Sequence, residues 1–257
     1  MKETVVRRIK DVSLNEPILV EGLPGVGHVG KLVAEHMVEE LKAEKIIEIY
    51  SPHFPPQVMV KEDGTIKLVK NEFYVYHGQE GQPDLLIIVG DYQSATNEGH
   101  YELTGLFLDI AQEFNVRRIY TLGGYGTGQF VDKPMVLGAA NSLKLVEEMK
   151  EYGVVFQENE PGGGIIGVSG LLLGLGGLRG LDAVCLMGVT SGYLVDPKSA
   201  QEVLKILSKA LKIEVGMQAL EERAKEMEKI IGKLQEMEKA QMPYECAGGE
   251  EDLRYIG

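Results

Sequence analysis

Cysteine is scarce in this chain: two residues in 257, set far apart. Cys185 lies in the apolar run AVCLMGV and reads as a small buried hydrophobe, and Cys246 lies in a polar stretch, so neither a disulfide framework nor a zinc site follows. Positive charge is also short. Lys and Arg total 26 against 39 Asp and Glu, a formal charge of -13, which repels a phosphate backbone or an anionic membrane surface and argues against nucleic acid and membrane as partners. No apolar run reaches the ~18 residues of a membrane span, and the opening MKETVVRRIKDV has no apolar core of signal-peptide length, so the expected location is the cytoplasm. The five histidines, His28, His36, His53, His77 and His100, form no HExxH pair and no cluster with cysteine. No metal site is expected.

What is present is the composition of a soluble globular protein. With 44% hydrophobic and 25% charged residues, the chain can bury a sizeable core as one large domain or two small ones. Aliphatic and β-branched runs alternate with segments of helical period, the signature of an α/β domain with a buried parallel core. The runs predict strands over 17–21, 45–50, 84–90, 117–122 and 183–190. Helical period predicts helices over 27–42, 97–115, 142–151 and 197–211. Asp63-Gly64 between two alternating segments signals a hairpin. The stretch 162–180, GGGIIGVSGLLLGLGGLRG, is apolar but carries nine glycines; it fits a tightly packed helix with a glycine-rich entry better than a buried loop.

The stretch GVGHVGKL, Gly25 to Leu32, fits two nucleotide-binding patterns at once. As a dinucleotide turn it would place Gly25, Gly27 and Gly30 at a helix N-terminus, with Glu48 near the position of a ribose-binding acid. Pro24 before the first glycine and a hairpin where a second βαβ unit should continue count against that. As a P-loop it fails because Leu32 stands where magnesium requires a hydroxyl. The other reading is a sharp strand-to-helix turn with close packing and no ligand. Beyond the strand DLLIIVG, Asp91, Gln93, Asn97, Glu98 and His100 could form a polar pocket, or Thr96 or Asn97 could simply cap the next helix. Gly123, Gly124, Gly126 and Gly128 could form a turn or an anion nest. Ser169 sits in GVSGL, where the second glycine arrives one residue too early for a nucleophile elbow.

From Ile213 the composition shifts to Glu, Lys, Met and Leu. Ile213, Met217, Leu220, Ala224, Met227, Ile231 and Leu234 follow the a/d spacing of a helix seam. Such a seam joins subunits, closes a helical hairpin, or lies on its own domain. Met242-Pro243 ends the pattern, and the remaining acidic, glycine-bearing stretch reads as a disordered tail. The chain therefore divides into an α/β domain over 1–212, a heptad-patterned helical segment over 213–241 and a flexible tail over 242–257.

Taken as a set, EGLPGVGHVGKLVAEHMVEEL, IYSPHFPPQVMV, DLLIIVGDYQS, RRIYTLGGYGTG and GGGIIGVSGLLLGLGG resemble the proteasome assembly chaperone family in its archaeal branch, over about Asn15 to Ile213. The resemblance implies a three-layer α/β/α domain with a mostly parallel central sheet, similar to nucleoside phosphorylases in fold but without their established chemistry. It implies an ATP-independent chaperone or activator with no cofactor, not an enzyme, whose partners are α subunits or the α-ring of the 20S proteasome and a related chaperone subunit. The glycines of GVGHVGKL are not carried over as ligand residues. Activators of this kind insert a terminal hydrophobic-tyrosine-any triplet between α subunits. Here the end is Leu253-Arg254-Tyr255-Ile256-Gly257, with tyrosine third from last instead of second. A mobile tether with an amphipathic ring, aliphatic anchors and a free carboxylate still suits capture in a basic pocket. The expected partner-binding residues are thus Leu253, Tyr255, Ile256 and Gly257. The expected oligomerisation residues are Ile213, Met217, Leu220, Met227, Ile231 and Leu234, in a homo-oligomer for which a tetramer is one arrangement; several tails on one body raise avidity at a ring. Two other classes stand beside this one. One is an enzyme acting on a nucleoside or ATP through Gly25–Lys31; the other is a scaffold that recognises partners through seam positions such as Leu220 and Met227.

Overall fold

The structure is a computed structural model and describes residues 1–129, 131, 134–157, 164–226 and 229. An eight-stranded sheet forms its middle layer. In chain order the strands are β1 (Val5–Arg8), β2 (Ile18–Gly22), β3 (Glu44–Tyr50), β6 (Asn71–Tyr76), β7 (Leu85–Gly90), β8 (Arg118–Gly126), β9 (Val136–Ala140) and β10 (Asp182–Thr190), arranged β1-β3-β6-β7-β2-β8-β10-β9. The central four, β7, β2, β8 and β10, run parallel. Both flanks are antiparallel, which makes the sheet mixed. Connectivity permits this division, because antiparallel neighbours such as β6 and β7 can follow one another directly in the chain, whereas the parallel central strands are reached through long connections. The short strands β4 (Val58–Val60) and β5 (Ile66–Leu68) form a separate hairpin around Asp63-Gly64, as that dipeptide predicts.

Two helical layers cover the sheet. Alternation along β2 sends Leu19 to one face and Val20 to the other. The first face is covered by α2 (Asn97–Glu113) and α4 (Val168–Leu178), through Leu103, Phe107, Leu108 and Leu172. The second is covered by α1 (Val29–Glu40), α3 (Leu143–Glu151) and α5 (Pro197–Leu211), through Val33, Met37, Leu145, Leu204 and Leu207. The expected α/β/α layering is what the chain adopts.

Local chemistry fixes the helix ends. Thr96, Ser142 and Asp196 accept hydrogen bonds from the backbone N–H groups of Gly99, Leu145 and Ser199, so Thr96 is the cap of α2 and Asn97 its first residue. The glycine-rich stretch is helical from Val168, as the apolar pattern indicates. The helix expected from residue 27 starts instead at Val29. Gly27 and His28 have φ of 61° and 52°, which breaks the first turn off as a short 3-10 helix over Val26–His28.

Candidate functional site

On the α2/α4 face, a cleft opens at the carboxyl ends of β2, β8 and β10, where ligands of open α/β sheets collect. Its volume is about 480 Å³. Gly123, Cys185 and Met187 form the floor from β8 and β10, and Gly164, Ile165 and Ser169 form a wall from the entry of α4. Leu23, Gly25, Val26 and Gln93 contribute from the turns after β2 and β7. Gly123 leaves the floor bare: the nearest atom to a side chain there would be Met187 Cγ at 4.0 Å.

A buried polar relay holds this cleft. Glu21, fully enclosed in β2, accepts from Leu23 N–H at 2.9 Å and from Ser169 Oγ at 2.8 Å. Burial pushes its carboxyl up to about 7 against the opposing pull of those two bonds. Gln93 bridges the same elements, its Nε2 donating to Pro24 O at 2.8 Å while its Oε1 accepts from Val168 N–H at 3.0 Å. Gly167 has φ 91°, and a Cβ there would lie 2.5 Å from Gln93 Oε1, so glycine is required at this junction. Cys185 is buried beside Thr121, and burial pushes its thiol up to about 12. That is an inert thiol, not a nucleophile.

The nucleotide-like loop is largely used in packing. A Cβ at Gly30 would lie 2.1 Å from Leu122 O, so this glycine permits α1 to touch β8. Lys31 Nζ donates to Gly90 O at 3.0 Å and pairs with Glu35 at 3.4 Å. Of this stretch only Gly25 and Val26 reach the cleft.

The polar residues after β7 separate. Gln93 joins the cleft, whereas Asp91 pairs with Lys67 at 2.9 Å and accepts from Lys70 N–H. Asn97 and Glu98 are exposed on the first turn of α2, and His100 is half-buried, with burial lowering its pKa. Glu48 meets no ligand loop. Although burial works against it, Lys70 and Lys45 hold its carboxyl at about 2 in a charged network on the β3–β6 face that includes Glu72.

The seam residues divide. Lys212 takes φ 57° and ends α5, and residues 213–217 continue without helix, so the helical segment expected from Ile213 begins instead at 218. Ile213, Val215 and Leu220 are buried in the α1/α5 core, with Met217 packed at its edge. His36 Nε2 pairs with Gly216 O, tying this connection to α1. Ile213 and Leu220 thus serve the packing of their own domain. Met227, Ile231, Leu234 and the tail residues Leu253, Tyr255, Ile256 and Gly257 lie outside the described residues. The Glu21–Ser169 relay is the feature that sequence reasoning missed. Its one advance signal was an acid, Glu21, in an otherwise apolar strand run.

The whole architecture recurs in known structures. The crystal structure of Pyrococcus furiosus PbaB, described as an archaeal proteasome activator, has a TM-score of 0.86 and 43% identity, covering 91% of this chain and 100% of that one. Pyrococcus furiosus PbaA, described as an archaeal homolog of proteasome-assembly chaperone, has a TM-score of 0.75 and 27% identity, covering 93% and 95% of the two chains. In sequence, the Methanocaldococcus jannaschii protein MJ1210 is 42% identical over 100% of this chain and 99% of its own. The PAC2 family model matches residues 19–235, which takes in the helices, the segment beyond α5 and the sheet apart from β1 and the first residue of β2, and the chain belongs to the PAC2 family.

Proposed function

We propose that this protein is a proteasome activator or assembly chaperone that works without ATP, binding the α-ring of the 20S proteasome as an oligomer through its C-terminal tail. The observation that carries the reading is the likeness to PbaB, at 43% identity over 91% of this chain and 100% of that one. Its contact residues are Leu253, Tyr255, Ile256 and Gly257, and the later seam positions Met227, Ile231 and Leu234 join the subunits. The connection after α5 is consistent with this arrangement. Ile213, Val215, Leu220 and Ala224 are buried and Gly216 is tied to His36, so the segment that leads towards the tail is anchored on the body.

Native mass spectrometry of the full-length protein mixed with 20S α-rings, without nucleotide, tests the proposal. The expected result is an oligomer bound to the ring, with association weakened about tenfold or more when residues 253–257 are removed. Failure to form any complex overturns the proposal. Undiminished binding by the truncated protein removes the tail mechanism and leaves the partner assignment standing.

A further inference from the structure

We propose that the cleft over Gly123 is a binding site for a small uncharged molecule, an aromatic or aliphatic body that presents one amide or hydroxyl edge to Ser169. Three observations select that ligand. The cleft, at about 480 Å³, is of the size that takes small molecules. Among the described residues that line it none is charged: Leu23, Ile165 and Met187 supply apolar surface, so a charged ligand would be desolvated with no counterion among them. The polar groups that reach it are fixed in advance, since Ser169 Oγ is held by the enclosed Glu21 carboxyl 2.8 Å away, and Gln93 is held at both ends of its amide.

Glu21 lets the Ser169 hydroxyl serve either kind of edge. An ionised carboxylate accepts the hydroxyl proton and turns the Ser169 lone pairs to the cleft. A protonated one donates to Ser169 Oγ and frees the hydroxyl proton for the ligand. Among the described residues that line the cleft a carboxylate ligand meets no cation, and it faces the buried acid behind Ser169. Gly123 is what keeps the space open, because Ile119 and Tyr125 are large on the same face of β8 while the position over Gly123 has no atom nearer than Met187 Cγ.

The test uses the full-length protein with two neutral probes, benzamide and phenol, and benzoate as the charged counterpart of benzamide, followed by ligand-observed NMR titration. Benzamide or phenol should bind saturably, and benzoate about tenfold or more weaker than benzamide. Gly123→Val, whose side chain projects into the cleft from its floor, should weaken the neutral probes about tenfold or more, and Ser169→Ala should weaken them severalfold. Circular dichroism and the unfolding midpoint check each variant; if Gly123→Val does not fold, Gly123→Ala replaces it and should weaken the same probes measurably. The proposal is overturned if neither neutral probe saturates, if benzoate binds as well as benzamide, or if the folded Gly123 variant binds the probes as the parent does. None of these outcomes depends on association with the proteasome.

Discussion

Burial sets Glu21 against the other carboxylates of the sheet. Its carboxyl ionises near 7 in the folded chain against an ordinary 4.5, so between those values the native state holds a proton that the unfolded state has released. Stability contributed by this group therefore falls as pH rises through that window, by up to about 3 kcal/mol in total. Glu21→Gln keeps an acceptor for Leu23 N–H and gains a donor for Ser169. Urea unfolding across the pH range should show the variant gaining on the parent from about pH 4.5 to about pH 7 and the difference levelling off above that, and a flat difference would rule out the buried acid. Glu48 has the opposite sign. Its carboxyl is held at about 2, so its contribution is present above the ordinary value and is lost as pH falls towards 2. Gly30 makes a steric prediction. With Leu122 O 2.1 Å from the position of a Cβ, Gly30→Ala must push α1 off β8, and the urea midpoint should record a loss of about 1–3 kcal/mol.

At the scale of elements, the segment after α5 joins the domain core before it can reach a partner. Residues 211–215 alternate buried and exposed, which is the period of extended chain and not of the helix that the a/d spacing suggests. The left-handed backbone of Lys212 is the cause, since it ends α5 and turns the chain back over α1. Leu220, wholly buried in that core, should cost about 2–5 kcal/mol on replacement by alanine, measured by equilibrium unfolding. A change near zero would mean that this helix is not docked on the domain. The spacing itself identified the apolar residues well: Ile213, Leu220 and Ala224 are all buried. Spacing reports that a stripe will be covered and carries no information on what covers it.

For the whole molecule, body and tail should be separable. Removal of residues 253–257 should leave the urea midpoint of the domain within about 0.5 kcal/mol of the parent, while association with α-rings falls. A large loss of stability would show that the terminus is part of the core, and the tail could not then act as a free anchor.

The sequence by itself determined the α/β class and most of the elements, though not β1, β6 and β9. Apolar runs located β2, β3, β7, β8 and β10, helical period located α2, α3 and α5 and most of α1, and Asp63-Gly64 located the hairpin, because these depend on contacts within a few residues and on local backbone preference. The order of motifs pointed to the family. Tertiary structure alone decided what the residues do together. Glu21 and Ser169 stand 148 positions apart, and neither spacing nor composition pairs them; only the parallel register of β2 with β8, and α4 laid over their ends, encloses the acid and opens the cleft above Gly123. In the same way only the fold assigned Lys31 to Gly90 O and Gly30 to close packing, turning a nucleotide-like motif into a joint between helix and sheet.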